Sequence, residues 1–185
     1  GAKDSDWRPA KDAARKAAEA EDRTIFHGLS SAEISGIIDA SSHRSLTIPS
    51  DPERIPDTVA HALSTLRLAG IGGPYALLLS ADLYTVVSEK TNHGHPIREH
   101  MARLVDGEIL WAPALDGAVL LSTRGGDYTL HIGQDLSIGY LAHDDDHITL
   151  YLEESLSFIV HSDDGAIALT GTTAHHDSTS GHTSG

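Results

Sequence analysis

Cysteine is absent from the 185 residues, which excludes disulfides, thiolate metal sites and a cysteine nucleophile, and suits a reducing compartment. Aromatic residues make up only 5% of the chain, so a base-stacking nucleic-acid platform is not expected and the core must come from Leu, Ile, Val and Ala. Cations are scarce as well. Thirteen Lys and Arg stand against 27 Asp and Glu, a formal charge of -14. Such a field repels phosphate backbones and anionic lipid over roughly a Debye length, about 8 Å at physiological salt, so neither nucleic acid nor a membrane is an expected partner. No apolar run approaches the roughly 20 residues of a bilayer span, and the opening GAKDSDWRPA lacks the order of a secretory signal. A cytoplasmic location is expected.

What is present is enough for a buried core: 39% of residues are hydrophobic. There are 13 histidines, and protonating all of them would bring the formal charge from -14 to -1, so self-repulsion depends on pH. The run DSDWRPAKDAARKAAEAEDRTIFHG predicts a helix, with Ser5 or Asp6 as cap and Gly28 as stop. Its apolar stripe of Ala10, Ala13, Ala14, Ala17, Ala18, Ile25 and Phe26 implies close approach of a neighbouring backbone. Residues 30–51 read as loops with one or two strands. DPERIPDTVAHALSTLRLAG predicts a second helix capped by Asp57, with Val59, Leu63 and Leu66 inward, His61 on the flank and Gly70 at its end. GPYALLLS is a buried strand, SADLYTVVSEK a helix capped by Ser80 or Asp82, and PIREHMARLVDG a helix with Pro96 in its first turn. Six short strands follow: EILWAP, GAVLLST, DYTLHIG, LSIGYLAH, HITLYLEESLSFIVH and GAIALT. Helices first and antiparallel-looking strands last give an α+β arrangement. The tail GTTAHHDSTSGHTSG has too little apolar surface to repay ordering and is expected to be disordered.

The chemical motifs resolve mostly as architecture. RGGDYTLHIGQDLSIGY holds four glycines but no lysine, and Asp127 stands where a phosphate would need a donor. Gly125 and Gly126 suit a turn with positive φ, and Gly133 and Gly139 mark bulges or close backbone approach. HDDDH at 143–147 lies between strand-like runs and reads as a hairpin tip, not as a metal-binding helix, and HH at 175–176 belongs to the tail. There is no G-x-S-x-G elbow, and Ser137 sits within an alternating strand. Glu153 and Glu154 fall on opposite faces of one strand and cannot flank a single substrate. The residues indicate no enzyme, no metal and no cofactor.

The blocks EDRTIFHG, GIGGPYALLLS, HGHPIREH, DGEILWAPALDGAVLLSTRGGDY, GQDLSIGY and LYLEESLSFIV, in this order from residue 3 to about 169, resemble the encapsulin shell proteins, especially actinobacterial ones. The resemblance implies the fold of tailed-phage major capsid proteins (Hong Kong 97-like), with a peripheral and an axial domain. It implies a structural subunit of an icosahedral compartment whose partners are copies of itself and a cargo enzyme of ferritin-like or peroxidase type. Iron storage or protection from oxidative stress would follow from such cargo. On this basis residues 1–51 carry the spine helix and adjoining peripheral part, 52–123 the axial domain, 124–170 the returning peripheral sheet and 171–185 the tail. The family's N-terminal helix and extended loop have no counterpart here, so a separate N-terminal fragment is an expected partner.

Two sites follow from the same resemblance. Asp135, Leu136, Ser137 and Ile138 fall in the segment that forms part of the groove for a cargo's C-terminal targeting peptide. The same alternation also fits residues that simply pack a half-buried strand. Asn92, His93, Gly94, His95 and Pro96 match the loop around the five-fold pore, where copies of His93 and His95 ringing one opening would make its charge depend on pH. Two other readings stay open: a prophage-derived capsid protein, and a bacteriocin or protease-like hydrolase, a label attached to similar proteins.

Overall fold

In the computed structural model, which describes residues 6–92 and 94–171, the first element is helix α1, Arg8–His27. Its alanines and long charged residues lose little rotamer freedom in a helix, and Pro9 stands in the first turn, where its missing N–H has no intrahelical partner to lose. Trp7 occupies the N-cap, and Asp6 accepts from the Arg8 N–H at 3.0 Å. Ser5 lies outside the described residues. Gly28 ends the helix at φ 75°, donating its N–H to the Thr24 carbonyl. Most of the alanine stripe is half-buried, Ala18 is exposed, and Phe26 is the helix's buried residue.

Residues 30–51 hold less strand and more helix than expected. A 3-10 turn at Ser30–Ala32 and a short helix α2, Ile37–Ala40, precede one strand, β1, Leu46–Ile48. A single turn is too short to show periodicity, and Ile37 is held helical by packing beside Phe26. Helix α3, Ile55–Leu68, is preceded by a 3-10 turn in which Asp51 accepts from the Glu53 N–H at 3.0 Å. Asp57 is therefore not the cap; it lies inside the first turn, where the helix dipole favours a carboxylate. Val59, Leu63 and Leu66 point into the core and His61 is exposed.

Strand β2, Tyr75–Leu79, leads to α4, Ala81–Glu89, whose Ser80 hydroxyl accepts from Leu83 N–H at 3.4 Å. A hairpin of β3, Thr91–Asn92, and β4, His95–Pro96, feeds α5, Ile97–Val105. Pro96 occupies the N-cap position of α5 and not its first turn, because its backbone is still paired with Thr91. Then come β5, Glu108–Trp111, β6, Gly117–Ser122, β7, Tyr128–His143, β8, Ile148–Val160, and β9, Ala166–Gly171. The two strands expected over 128–143 are one, because bulges absorb the register shifts, the first of them at Gly133, without ending the strand.

Five strands form one sheet in the order β1-β9-β6-β2-β5. It is mixed: β1 with β9 and β2 with β5 run parallel, and the inner pairs run antiparallel. Successive residues of a strand face opposite sides, and both sides are covered here. Leu77, Leu120 and Ile167 meet Leu66, Ile97 and Met101 from α3 and α5. Val119 and Ala166 meet Phe26, Ile37 and Phe158 on the other side. The stretch 124–170, expected as one returning sheet, divides between two. β7 and β8 pair with each other as a long ribbon, and β9 joins β6 and β1 in the body. Gly171 closes β9, and the rest of the tail lies outside the described residues.

Candidate assembly and cargo interface

Alternation along β7 and β8 gives the ribbon one apolar face. Cross-strand partners share a face, so the pairs Leu130–Phe158, Ile132–Leu156, Ile138–Leu152, Tyr140–Leu150 and His143–Ile148 line one side. The other side carries Thr129–Ile159, His131–Ser157, Gln134–Ser155 and Ser137–Glu153. Helix α1 covers only the base of the apolar side, where Phe26 and Ile25 pack with Phe158, Val160 and Tyr128. The Tyr128 and Phe158 rings stack there with centroids 6.1 Å apart. Farther out the face is open: Ile138 is 56%, Tyr140 57% and Ile148 70% exposed. A two-stranded ribbon is marginal in water unless such a face is covered.

The ribbon is fixed to the body at its root. Gly125 and Gly126 adopt φ 86° and 87°, the left-handed turn that glycine permits without strain. Asp127, buried next to them, takes both prongs of the Arg124 guanidinium and is therefore a structural anchor. Its carbonyl accepts the His161 N–H at 2.8 Å, tying the two strands where they leave the body. Burial, followed by the negative Asp127, pushes the Tyr128 phenol up to about 12. Atoms of the Tyr151 ring occupy the space that a Cβ at Gly139 would need, and Gly133 sits at a register shift, so both glycine readings hold.

Asp135, Leu136, Ser137 and Ile138 come together in the bulged middle of β7. Asp135 accepts from Leu136 N–H at 2.8 Å, and Ser137 receives the Gln134 amide at 2.8 Å. Leu136 and Ile138 are both exposed, so they do not pack the interior of this chain. Glu21 of α1 and Glu154 of β8 face this stretch. Burial, and then the charges of Glu154, Asp22 and Asp135, raise the Glu21 carboxyl above its ordinary range. In the second predicted site, Asn92 pairs with His95 and Gly94 turns the chain at φ 82°. His95 is exposed, and His93 lies outside the described residues. The two sites belong to different sheets.

At the tip, Asp144 accepts from the N–H groups of Asp146 and His147 at 2.9 and 2.7 Å, which lowers its carboxyl below the usual range and closes the expected hairpin. Among the described residues no three His, Asp or Glu side chains converge as metal ligands do, and no helix is long and apolar enough to cross a membrane. Sequence reasoning missed the extent of the open face. Its signal was the i, i+2 run of Ile148, Leu150, Leu152, Leu156 and Phe158 in β8. The pairing of Arg124 with Asp127 had no such signal.

This architecture is that of capsid proteins. The virus-like particle from Pyrococcus furiosus superposes with a TM-score of 0.68 at 16% identity, over 88% of this chain and 67% of that one. A structure from Mycobacterium phage Che8 gives 0.62 at 17% over 89% and 63%, and the capsid of Myoviridae phage XM1 gives 0.56 at 14% over 88% and 65%. The fold is therefore the Hong Kong 97-like α+β fold. A sequence model of the family described as encapsulating protein for peroxidase matches residues 1–157, and the chain belongs to that family. It is 58% identical over 170 residues to the type 1 encapsulin shell protein of Mycobacterium tuberculosis, and 54% identical over 169 residues to that of Rhodococcus erythropolis. These alignments cover 92% and 91% of the chain but 64% of each relative, so the chain spans just under two thirds of their length.

Proposed function

We propose that this chain is a shell subunit, or the greater part of one, of an encapsulin compartment that assembles from copies of itself and encloses a cargo protein inside the cell. One observation carries the reading: a family member with a capsid fold presents a long amphipathic ribbon whose outer apolar face is left uncovered by the described residues. In a monomer that face would be costly; between subunits it is buried. The body around residues 52–123, joined by β9, serves as the axial part, and α1 with the ribbon as the peripheral part. The family description supports peroxidase cargo, and ferritin-like cargo is the other class. Asp135 to Ile138 form part of the groove for the cargo's C-terminal targeting peptide, with Leu136 and Ile138 as apolar contacts. The β3–β4 hairpin from Asn92 to Pro96 lines a pore for small molecules. Shell segments outside this chain complete the cover of the ribbon.

Electron microscopy and native mass measurement of the purified protein, co-produced with a peroxidase, test the reading. Closed particles with internal density are expected. A monomer that stays soluble at high concentration and leaves the peroxidase free overturns it. Particles that package nucleic acid instead of enzyme favour the prophage capsid alternative.

A further inference from the structure

The ribbon's open face is bordered by charge of one sign. Residues 128–160 contain six carboxylates and no lysine or arginine, and no Lys or Arg occurs after Arg124. Two ribbons laid face to face would bring carboxylates against carboxylates with no cation between them, a like-charge contact that costs affinity. The opposite charge lies elsewhere in the same chain. Between Arg8 and Lys16, α1 carries four cations against one carboxylate, all exposed. Arg8 pairs with Asp6 and Arg15 with Asp12, but Lys11 and Lys16 make no ion pair among the described residues. Trp7, 59% exposed, stands at the start of the same helix. An aromatic anchor beside flexible cations suits an apolar surface rimmed by carboxylates.

We infer that the outer ribbon of one copy docks the basic first half of α1 from a second copy, with Tyr140 and Ile148 against Trp7 and with Lys11 and Lys16 against Asp145 and Asp146 of the tip. The contact joins two different patches and is heterologous, the kind that propagates and closes when the rotation allows. It rests on the shell reading and adds to it the surfaces that meet.

The test mixes normal and 15N-labelled protein, assembles them together, and joins contacting amines and carboxylates with a zero-length carbodiimide. Peptide mass mapping is expected to find Lys11 or Lys16 linked to Asp145 or Asp146 in pairs of mixed isotope. Lys11→Glu with Lys16→Glu should lower the particle yield roughly tenfold, and adding Asp145→Lys with Asp146→Lys in the same chain should restore it. Particles of the first double variant at the wild-type yield, or cross-links confined to single-isotope pairs, overturn the inference and leave the shell reading standing. A wild-type protein that never oligomerises overturns both.

Discussion

The Arg124 guanidinium grips the Asp127 carboxylate with two prongs, Nη2 to Oδ1 at 2.7 Å and Nε to Oδ2 at 3.0 Å, where the ribbon leaves the body. Asp164, in the turn between β8 and β9, lies 3.7 Å from the same Nη2, so one side chain bridges both crossings. Arg124→Gln removes the cation and leaves Asp127 buried without it, which lowers the melting temperature. Hydrogen exchange should speed up across 128–160 and stay slow in β2 and β6. Arg124→Lys should recover only part of the protection, because an ammonium cannot reproduce the planar fork. Unchanged exchange in the ribbon would refute the anchor.

Tyr128 is held protonated by burial and by Asp127, with its phenol near 12. Because this value lies above the ordinary 10, its contribution to stability is complete below pH 10 and is lost as pH rises through about 12. Absorbance titration of the five tyrosines should show a late ionisation that Tyr128→Phe removes. All five ionising together near pH 10 would contradict this.

Phe158 and Ile138 lie on the same face of the ribbon but differ in cover. Phe158→Ala should cost about 3–5 kcal/mol in denaturant unfolding, since the ring is 7% exposed between α1 and the sheet. Ile138→Ser should change monomer stability by no more than about 0.5 kcal/mol while weakening cargo retention or assembly. Equal losses of stability would mean that the outer face is not open.

Glu21 is destabilised as a carboxylate by burial and by its acidic neighbours. Its raised value means that ionisation disfavours the folded state, so its contribution is favourable at low pH and is lost as pH rises through the folded value. Glu21→Gln should therefore stabilise the protein at pH 7, by up to about 0.5 kcal/mol given the solvent screening, and the gain should vanish at a pH below the ordinary glutamate range. Thermal melts at pH 3 and pH 7 measure it. A gain that is the same at both, or a loss at pH 7, would contradict the assignment.

The sequence was most readable where one local rule decides. α1, α3 and β2 follow from periodicity and stop signals, and Gly125 and Gly126 from their turn chemistry. It was least readable where pairing decides. Nothing local to GAIALT says that β9 lies beside β1 in parallel, since its partners Leu46 and Ala118 are remote in the chain. Residues 135–138 were locatable by resemblance, but their exposure depends on how far α1 reaches along the ribbon. His95 lies in a short hairpin where the sequence suggested only a loop, and the cap assigned to Asp57 was displaced by a 3-10 turn one step earlier.

β6 and β9 are antiparallel neighbours, with Leu121 opposite Ala166, and the whole ribbon departs and re-enters through that one gap. The 43 residues between β6 and β9 (123–165) are thus an excursion that the surrounding strands do not need for their own register. Evolution or an engineer can lengthen, shorten or exchange this arm at a short turn while the body keeps its hydrogen bonds. Within one protein, reach toward neighbours and integrity of the core can then vary independently.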